Sequence, residues 1–472
     1  MSDRFQTVVK LRASQEIIYV ILYHLLIFSI FFGEAVLSFP VPTLGSIYLF
    51  RIVLAVISIF TGYRIFVKKE RIDFTGSIKY LLMLFIVVTM YGVISIAFAE
   101  NQSSTIGILI NWVINGIFVV VVICFNSNKN RIKHTFIAVL YNVVIAILLG
   151  ILETFTGSLF FREESIGRGR IAFFNFGINE LPLVYGTNQN YLVTLIMFGV
   201  LLSLLFIFCQ VAKPKYVTKK KWYSATVPFL LVGGFYISHY SISTLGQFTL
   251  IITAITTIMI LVFVVNKKKI PISAISIVVG YLLVLLASNF IVILPRILNI
   301  FNLTYEIPSL YPNPVMFGLK SFYEGASGSG NERLVLIQYG MRLFIRSKGL
   351  GVGLGNTLFF ATMDNSIPYG DLHCFPVRLV SDCGVFALVP LCMFVLSIVR
   401  NWYKYLKEYY TRSLYHRVRI LFSGLVFFVS PFVVTIPSDA QNVWLMWLFY
   451  AILAITLDPK RMSDVEYSEE PI

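Results

Sequence analysis

"IGILINWVINGIFVVVVICF" (Ile106–Phe125) carries no Asp, Glu, Lys or Arg. As a helix rising about 1.5 Å per residue, such a run crosses about 30 Å, the thickness of a bilayer's hydrocarbon core. In lipid every backbone polar group must be satisfied within the protein. Only helices and closed barrels do this, and the run lacks the apolar–polar alternation of a barrel strand. It therefore predicts a membrane-spanning helix.

Similar runs recur along the chain. Of 472 residues 57% are hydrophobic and 13% charged, against about 25% charged in soluble domains. The expected fold class is all-α, a polytopic membrane protein with about 12 transmembrane helices. They fall near 17–33, 47–67, 78–98, 106–125, 135–155, 190–211, 223–238, 244–265, 272–291, 376–399, 420–436 and 443–457. The first run resembles a signal peptide in length, but lacks a small-residue cleavage site and leads straight into the next, so a retained helix is expected. The organisation expected is nine helices over 1–291 with an outer loop at 156–189, a large extracytoplasmic loop at 292–375, three helices over 376–457, and a tail at 458–472.

The basic residues set the orientation. With a cytoplasmic N-terminus, 25 of the 38 Lys and Arg fall in cytoplasmic segments, nine in outer loops, and Arg51, Arg64, Lys79 and Arg378 within helices. This is the positive-inside asymmetry. It places both termini in the cytoplasm and the chain in the plasma membrane. "KPKYVTKKKW" (Lys213–Trp222) and "NKKKIP" (Asn266–Pro271) are then topological anchors rather than nucleic-acid sites. The acidic tail "DVEYSEEPI" reads as solvated.

The nine outer basic residues all lie in the two long outer loops: Arg162, Arg168, Arg170, Arg296, Lys320, Arg333, Arg342, Arg346 and Lys348. Loops of this length are commonly functional. Arginine gathered against the topological trend needs a reason, and an anionic ligand is the simplest, because guanidinium grips phosphate and carboxylate in bidentate fashion. The segment "NERLVLIQYGMRLFIRSK" (Asn331–Lys348) predicts a helix ended by glycine, with Gln338, Arg342 and Arg346 on one face. Arg333 falls instead on a stripe with Ile337, Gly340 and Phe344. There it requires an anion or a carboxylate: a substrate phosphate, a lipid headgroup, or Glu332 or Glu324.

"SKGLGVGLGN" (Ser347–Asn356) then places glycine at every second position. The spacing is neither the Gly-x-Gly-x-x-Gly of dinucleotide folds nor a P-loop, which ends in Lys-Ser/Thr. The expected role is close approach of backbone to backbone or substrate, and chain reversal after the helix. In "DLHCFPVRLVSDCGVFALVPL" (Asp371–Leu391), His373 precedes a helix, Pro376 suits its first turn, and Arg378 and Asp382 are spaced to pair. An ionisable residue inside a membrane helix is a functional candidate, although an Arg378–Asp382 pair serving structure alone, and an interfacial His373 with no task, fit the same residues.

The arginine-led helix, "GLGVGLGN", the histidine and "LVSDCGVFALVPL", together with "GRGRIAFFNFGINELPLVYGTNQNYLVTLI" (Gly167–Ile196) upstream, resemble the O-antigen ligase and polymerase superfamily (Wzy-like proteins of polysaccharide assembly). The motifs cover 331–391 and, more loosely, 168–195, where Asn188 and Asn190 fit an Asn-x-Asn entering a helix. Two departures stand out: the family's His-Asn is here His373-Cys374, and Gln247 stands where relatives often carry arginine after "YSISTLG".

The resemblance implies metal-independent glycosyl transfer at the outer membrane face, with no cofactor, from a polyprenyl-diphosphate-linked oligosaccharide. It implies Arg333, with Arg168 or Arg170, on the diphosphate, and His373 as base or acceptor positioner. Asn190, Arg296, Arg342 and Arg346 would add substrate contacts, and Arg378 and Asp382 would orient the site from behind. Expected partners are membrane lipids, a flippase and a chain-length regulator, with no nucleic acid. Richness in Ile, Phe, Lys, Asn and Tyr fits an AT-rich genome and favours a capsule, exopolysaccharide or teichuronic-acid polymerase over an O-antigen-ligase-like transferase. A flippase is the competing class. The chain has no internal repeat, whereas transporters commonly do.

Overall fold

The computed structural model describes residues 2–36, 38–41, 45–70, 72, 74–156, 189–211, 222–241, 243–267, 269–300, 329–363, 372, 374–434 and 444–457. The elements are α1 (Ser2–Val36), a hairpin of β1 (Ser38–Val41) and β2 (Gly45–Tyr48), α2 (Leu49–Phe66), α3 (Ser77–Ser95), α4 (Gln102–Phe125) and α5 (Lys129–Thr156). Next come α6 (Gln189–Val211), α7 (Tyr223–Tyr240), α8 (Thr244–Met259), which continues as a π-helical turn over Ile260–Val265, and α9 (Ile272–Ile300). The remainder are α10 (Ser329–Arg346), α11 (Asn356–Met363), α12 (Phe375–Cys383), α13 (Val385–Tyr409), α14 (Leu414–Val434) and α15 (Trp444–Thr456).

Among the described residues nine helices are long and apolar enough to span a membrane, and Ile272–Ala287 and Trp444–Thr456 are shorter apolar helices. Helix α7 falls outside both groups. The molecule is a polytopic, membrane-embedded helical protein. The small antiparallel hairpin, Ser38 opposite Tyr48, is an addition to the all-helical expectation.

Helix α6 is apolar on every side, and 94% of its Tyr191–Cys209 window is buried. A helix apolar all round is a central helix. It contacts α5, α7, α8, α14 and α15. Gly199 lets α5 close on it, with Val143 occupying the space a Cβ would need. Helix α15 is the second central element. Its Trp444 stacks on Phe50 at 3.8 Å, and its Trp447 meets Trp112 at 5.5 Å and Phe85 at 4.7 Å. The outer helices turn apolar side chains outward, among them Ile59, Ile94, Leu286 and Leu396. Apolar surface of this extent belongs against lipid rather than water.

At one end of the bundle α1, α2 and α5 are tied by charge. Arg64 bonds Glu16 at 2.8 Å and Glu70 at 2.7 Å, and Arg131 bonds Glu16 and, at 2.9 Å, Glu70. Both guanidinium groups lie over the Tyr19 ring, at 4.7 and 5.3 Å.

Two expected boundaries are corrected. The ninth helix extends nine residues past position 291, to Ile300. The tenth, expected to run unbroken over 376–399, is two helices, α12 and α13, broken at Gly384 (φ 60°). Asp382 therefore sits in a nine-residue helix that precedes the long one, not in the transmembrane helix expected there.

Candidate functional site

Helix α10 ends as its sequence predicts. The Lys348 N–H donates to Ile345 O, and the Gly349 N–H reaches back to Phe344 O at 2.9 Å, closing the last turn. Ser347 Oγ donates to Phe344 O and accepts from the Gly351 N–H. Beyond it Gly349, Gly351, Gly353 and Gly355 all have φ between 80° and 100°, a region that L side chains disfavour.

The alternating glycines let this loop lie directly on the α12–α13 break. The Val352 and Gly353 N–H groups donate to Ser381 O and Asp382 O, and the Val385 N–H donates to Gly349 O at 2.8 Å. The loop thereby satisfies carbonyls that the end of α12 leaves open and an amide that the start of α13 leaves open. A Cβ at Gly351 would collide with Asp382 O, and one at Gly384 with Gly349 O. The glycines serve approach of backbone to backbone.

The other edge of the loop is fixed to the α3–α4 turn. Asn356 Oδ1 accepts the Asn101 N–H at 2.9 Å and its Nδ2 donates to Thr105 Oγ1 at 2.8 Å. Ser104 Oγ donates to Gly355 O, and the Leu354 N–H donates to Ser95 Oγ. Leu354 fills the space beside Gly92. At its end, the fully buried Asp382 carboxylate accepts the Thr357 N–H at 2.9 Å at the start of α11, where a helix favours negative charge. Burial raises the Asp382 carboxyl above its usual range, against the opposing pull of Arg378 and of hydrogen bonds from Thr357 and the Gly355 amide.

These contacts place the predicted site residues. Arg378 and Asp382 are both buried on α12, with the Arg378 charge acting on the carboxylate. Arg342 and Arg346 lie on the exposed face of α10, as does Gln338. The opposite face packs on α12: a Cβ at Gly340 would meet Leu372 at 2.6 Å and Val377 at 2.8 Å. Gly340 belongs to the stripe that carries Arg333, and Leu372 and Cys374 flank His373 in the chain; both flanking residues are buried. For Arg333 on α10, Arg296 on α9 and Asn190 on α6 the structure gives the backbone position. Arg168, Arg170 and His373 lie outside the described residues.

Sequence reasoning missed two anchors of this region. Asn356 stands in the sequence only as the last residue of the glycine-rich turn, with no partner assigned to it, and Thr357 carries no signal of its own. An asparagine directly after a glycine-rich turn, opening a helix, was the available signal.

No protein-family model matches the chain, and comparison with curated proteins finds no match.

Proposed function

We propose that this protein is a membrane glycosyltransferase of the Wzy-like type, joining polyprenyl-diphosphate-linked repeat units into a cell-surface polysaccharide at the outer face of the plasma membrane. In this reading the chain crosses the membrane twelve times, α13 forming the tenth crossing, with both termini in the cytoplasm. The observation that carries it is the seating of α10 at Gly340 against Leu372 and Val377, so that the helix whose sequence includes Arg333 packs beside the chain on either side of position 373.

The chemistry follows from those residue types. The leaving group is a lipid diphosphate, anionic from the outset. Guanidinium groups held in advance where charge gathers stabilise its departure. Arg333 takes that role with Arg168 or Arg170, and Arg296, Arg342, Arg346 and Asn190 add contacts to the donor. His373, an imidazole, accepts the proton of the attacking hydroxyl. Asp382 and Arg378 position the loop that supports this surface.

The test is a gel of lipid-linked sugars from cells carrying Arg333→Ala or His373→Ala. Single repeat units stranded on lipid are expected for either variant. Full-length chains left on lipid assign a ligase, and loss of units from the outer leaflet assigns a flippase. Unchanged polymer in both variants rejects the site.

A further inference from the structure

A groove of about 480 Å³ opens between the start of α3 and the second half of α13, at the end of the bundle that carries the Glu16–Arg64 network. It lies remote from the glycine-rich loop, and nothing in the proposed transfer uses it. Its volume falls in the range of about 300–1,000 Å³ typical of small-ligand sites.

Among the described residues three cations line it, Lys79, Arg400 and Lys404, and no carboxylate does. All three are exposed. Glu408 approaches Lys404 at 3.8 Å, one turn on, and both side chains are more than 40% exposed; such a contact holds little of the lysine's charge. The walls are fixed to one another, because Asn401 Nδ2 donates to Ser77 Oγ, the first residue of α3, at 3.0 Å. Helix α3 begins at Gly76, which offers no side-chain cap, so the positive end of that helix adds to the field.

The rest of the lining sets polar Thr75, Ser397 and Asn401 beside Tyr80, Met393 and Leu396, and its apolar side chains on α13 run in one direction. Residues 389, 393, 396, 400 and 404 follow one face of α13 at helical spacing. Arg400 and Lys404 stand at the groove, Met393 and Leu396 follow toward the middle of the helix, and Val389 lies further along; Val389, Met393 and Leu396 are all exposed. Cations at the helix end above an apolar stripe match a molecule with an anionic head and hydrocarbon tails.

We infer that this groove binds the phosphodiester headgroup of an anionic phospholipid, with Lys79, Arg400 and Lys404 on the phosphate and the acyl chains along Leu396, Met393 and Val389. The leaflet is the one facing this end of the bundle.

Native mass spectrometry of the purified full chain with phosphatidylglycerol or phosphatidylcholine tests the assignment. Phosphatidylglycerol should be retained about tenfold more than phosphatidylcholine. The variant Lys79→Gln/Arg400→Gln/Lys404→Gln should lose that preference, while Lys79→Arg/Arg400→Lys/Lys404→Arg should keep it, each judged on protein unfolding at the wild-type temperature. Equal retention of the two lipids, or an undiminished preference in the glutamine variant, overturns the inference. Soluble glycerol 3-phosphate should leave the bound lipid in place; displacement of the lipid would make the site one for free phosphate and overturn the lipid assignment.

Discussion

Gly351 has φ 87° and lies against the Asp382 carbonyl. Gly351→Ala therefore combines left-handed strain of about 1–2 kcal/mol with a collision of backbone atoms. It should lower the unfolding temperature in detergent well below that of Gly107→Ala, where a Cβ meets nothing within 4 Å and the exchange should be neutral or stabilising by up to about 1 kcal/mol. Asn356→Ala removes the acceptor of the Asn101 N–H and the donor to Thr105. Leaving the half-buried Asn101 amide and the buried Thr105 hydroxyl without these partners costs at the low end of about 1–3 kcal/mol. Differential scanning fluorimetry of the purified variant should register that loss, and Asn356→Asp should recover only the acceptor half. At this scale the glycine spacing was legible in the sequence, because left-handed backbone selects glycine. The partner of Asp382 was not: Thr357 lies 25 residues away and is brought in by the loop.

The break between α12 and α13 illustrates the same limit among elements. The helix expected over 376–399 takes in Arg378, Asp382 and Gly384, and no proline stands at the junction to mark a break. What interrupts it is the backbone of Gly349 and Leu350, docked against Gly384. The C-terminal end of α10 behaves otherwise, since amphipathic spacing and a terminal glycine are local signals and the helix closes beside the glycine they point to. The α1–α2–α5 junction was partly legible: Arg64 was recognised as a cation within a helix, but its partners Glu16 and Glu70 approach from either side through the fold. Glu70→Gln should cost roughly 2 kcal/mol, below the 3–5 of a fully buried pair. Glu408→Gln, at the exposed Lys404 pair, should cost under about 0.5 kcal/mol. Thermal unfolding of the two variants side by side checks the difference.

For the whole molecule the decisive feature is the arrangement of polar ends around an apolar middle. The proposed orientation puts α10 outside the cell and the end of α13 in the cytoplasm. In a cysteine-free background, Arg346→Cys should be labelled by a membrane-impermeant maleimide on intact cells, and Lys407→Cys only after permeabilisation. The reverse pattern would invert the topology and remove the proposed transfer from the outer face.

Composition and period alone determined that this chain enters a membrane as a bundle of helices, because a backbone in lipid has few ways to satisfy its own polar groups and the runs have helical length. Alternating glycines likewise require a close approach, to backbone or to substrate, and the fold supplies backbone. Tertiary structure decided which helices are central, where the tenth apolar run breaks, and what Asp382 holds. Those outcomes depend on groups far apart in the chain meeting at hydrogen-bond distance, and no local pattern encodes such a meeting.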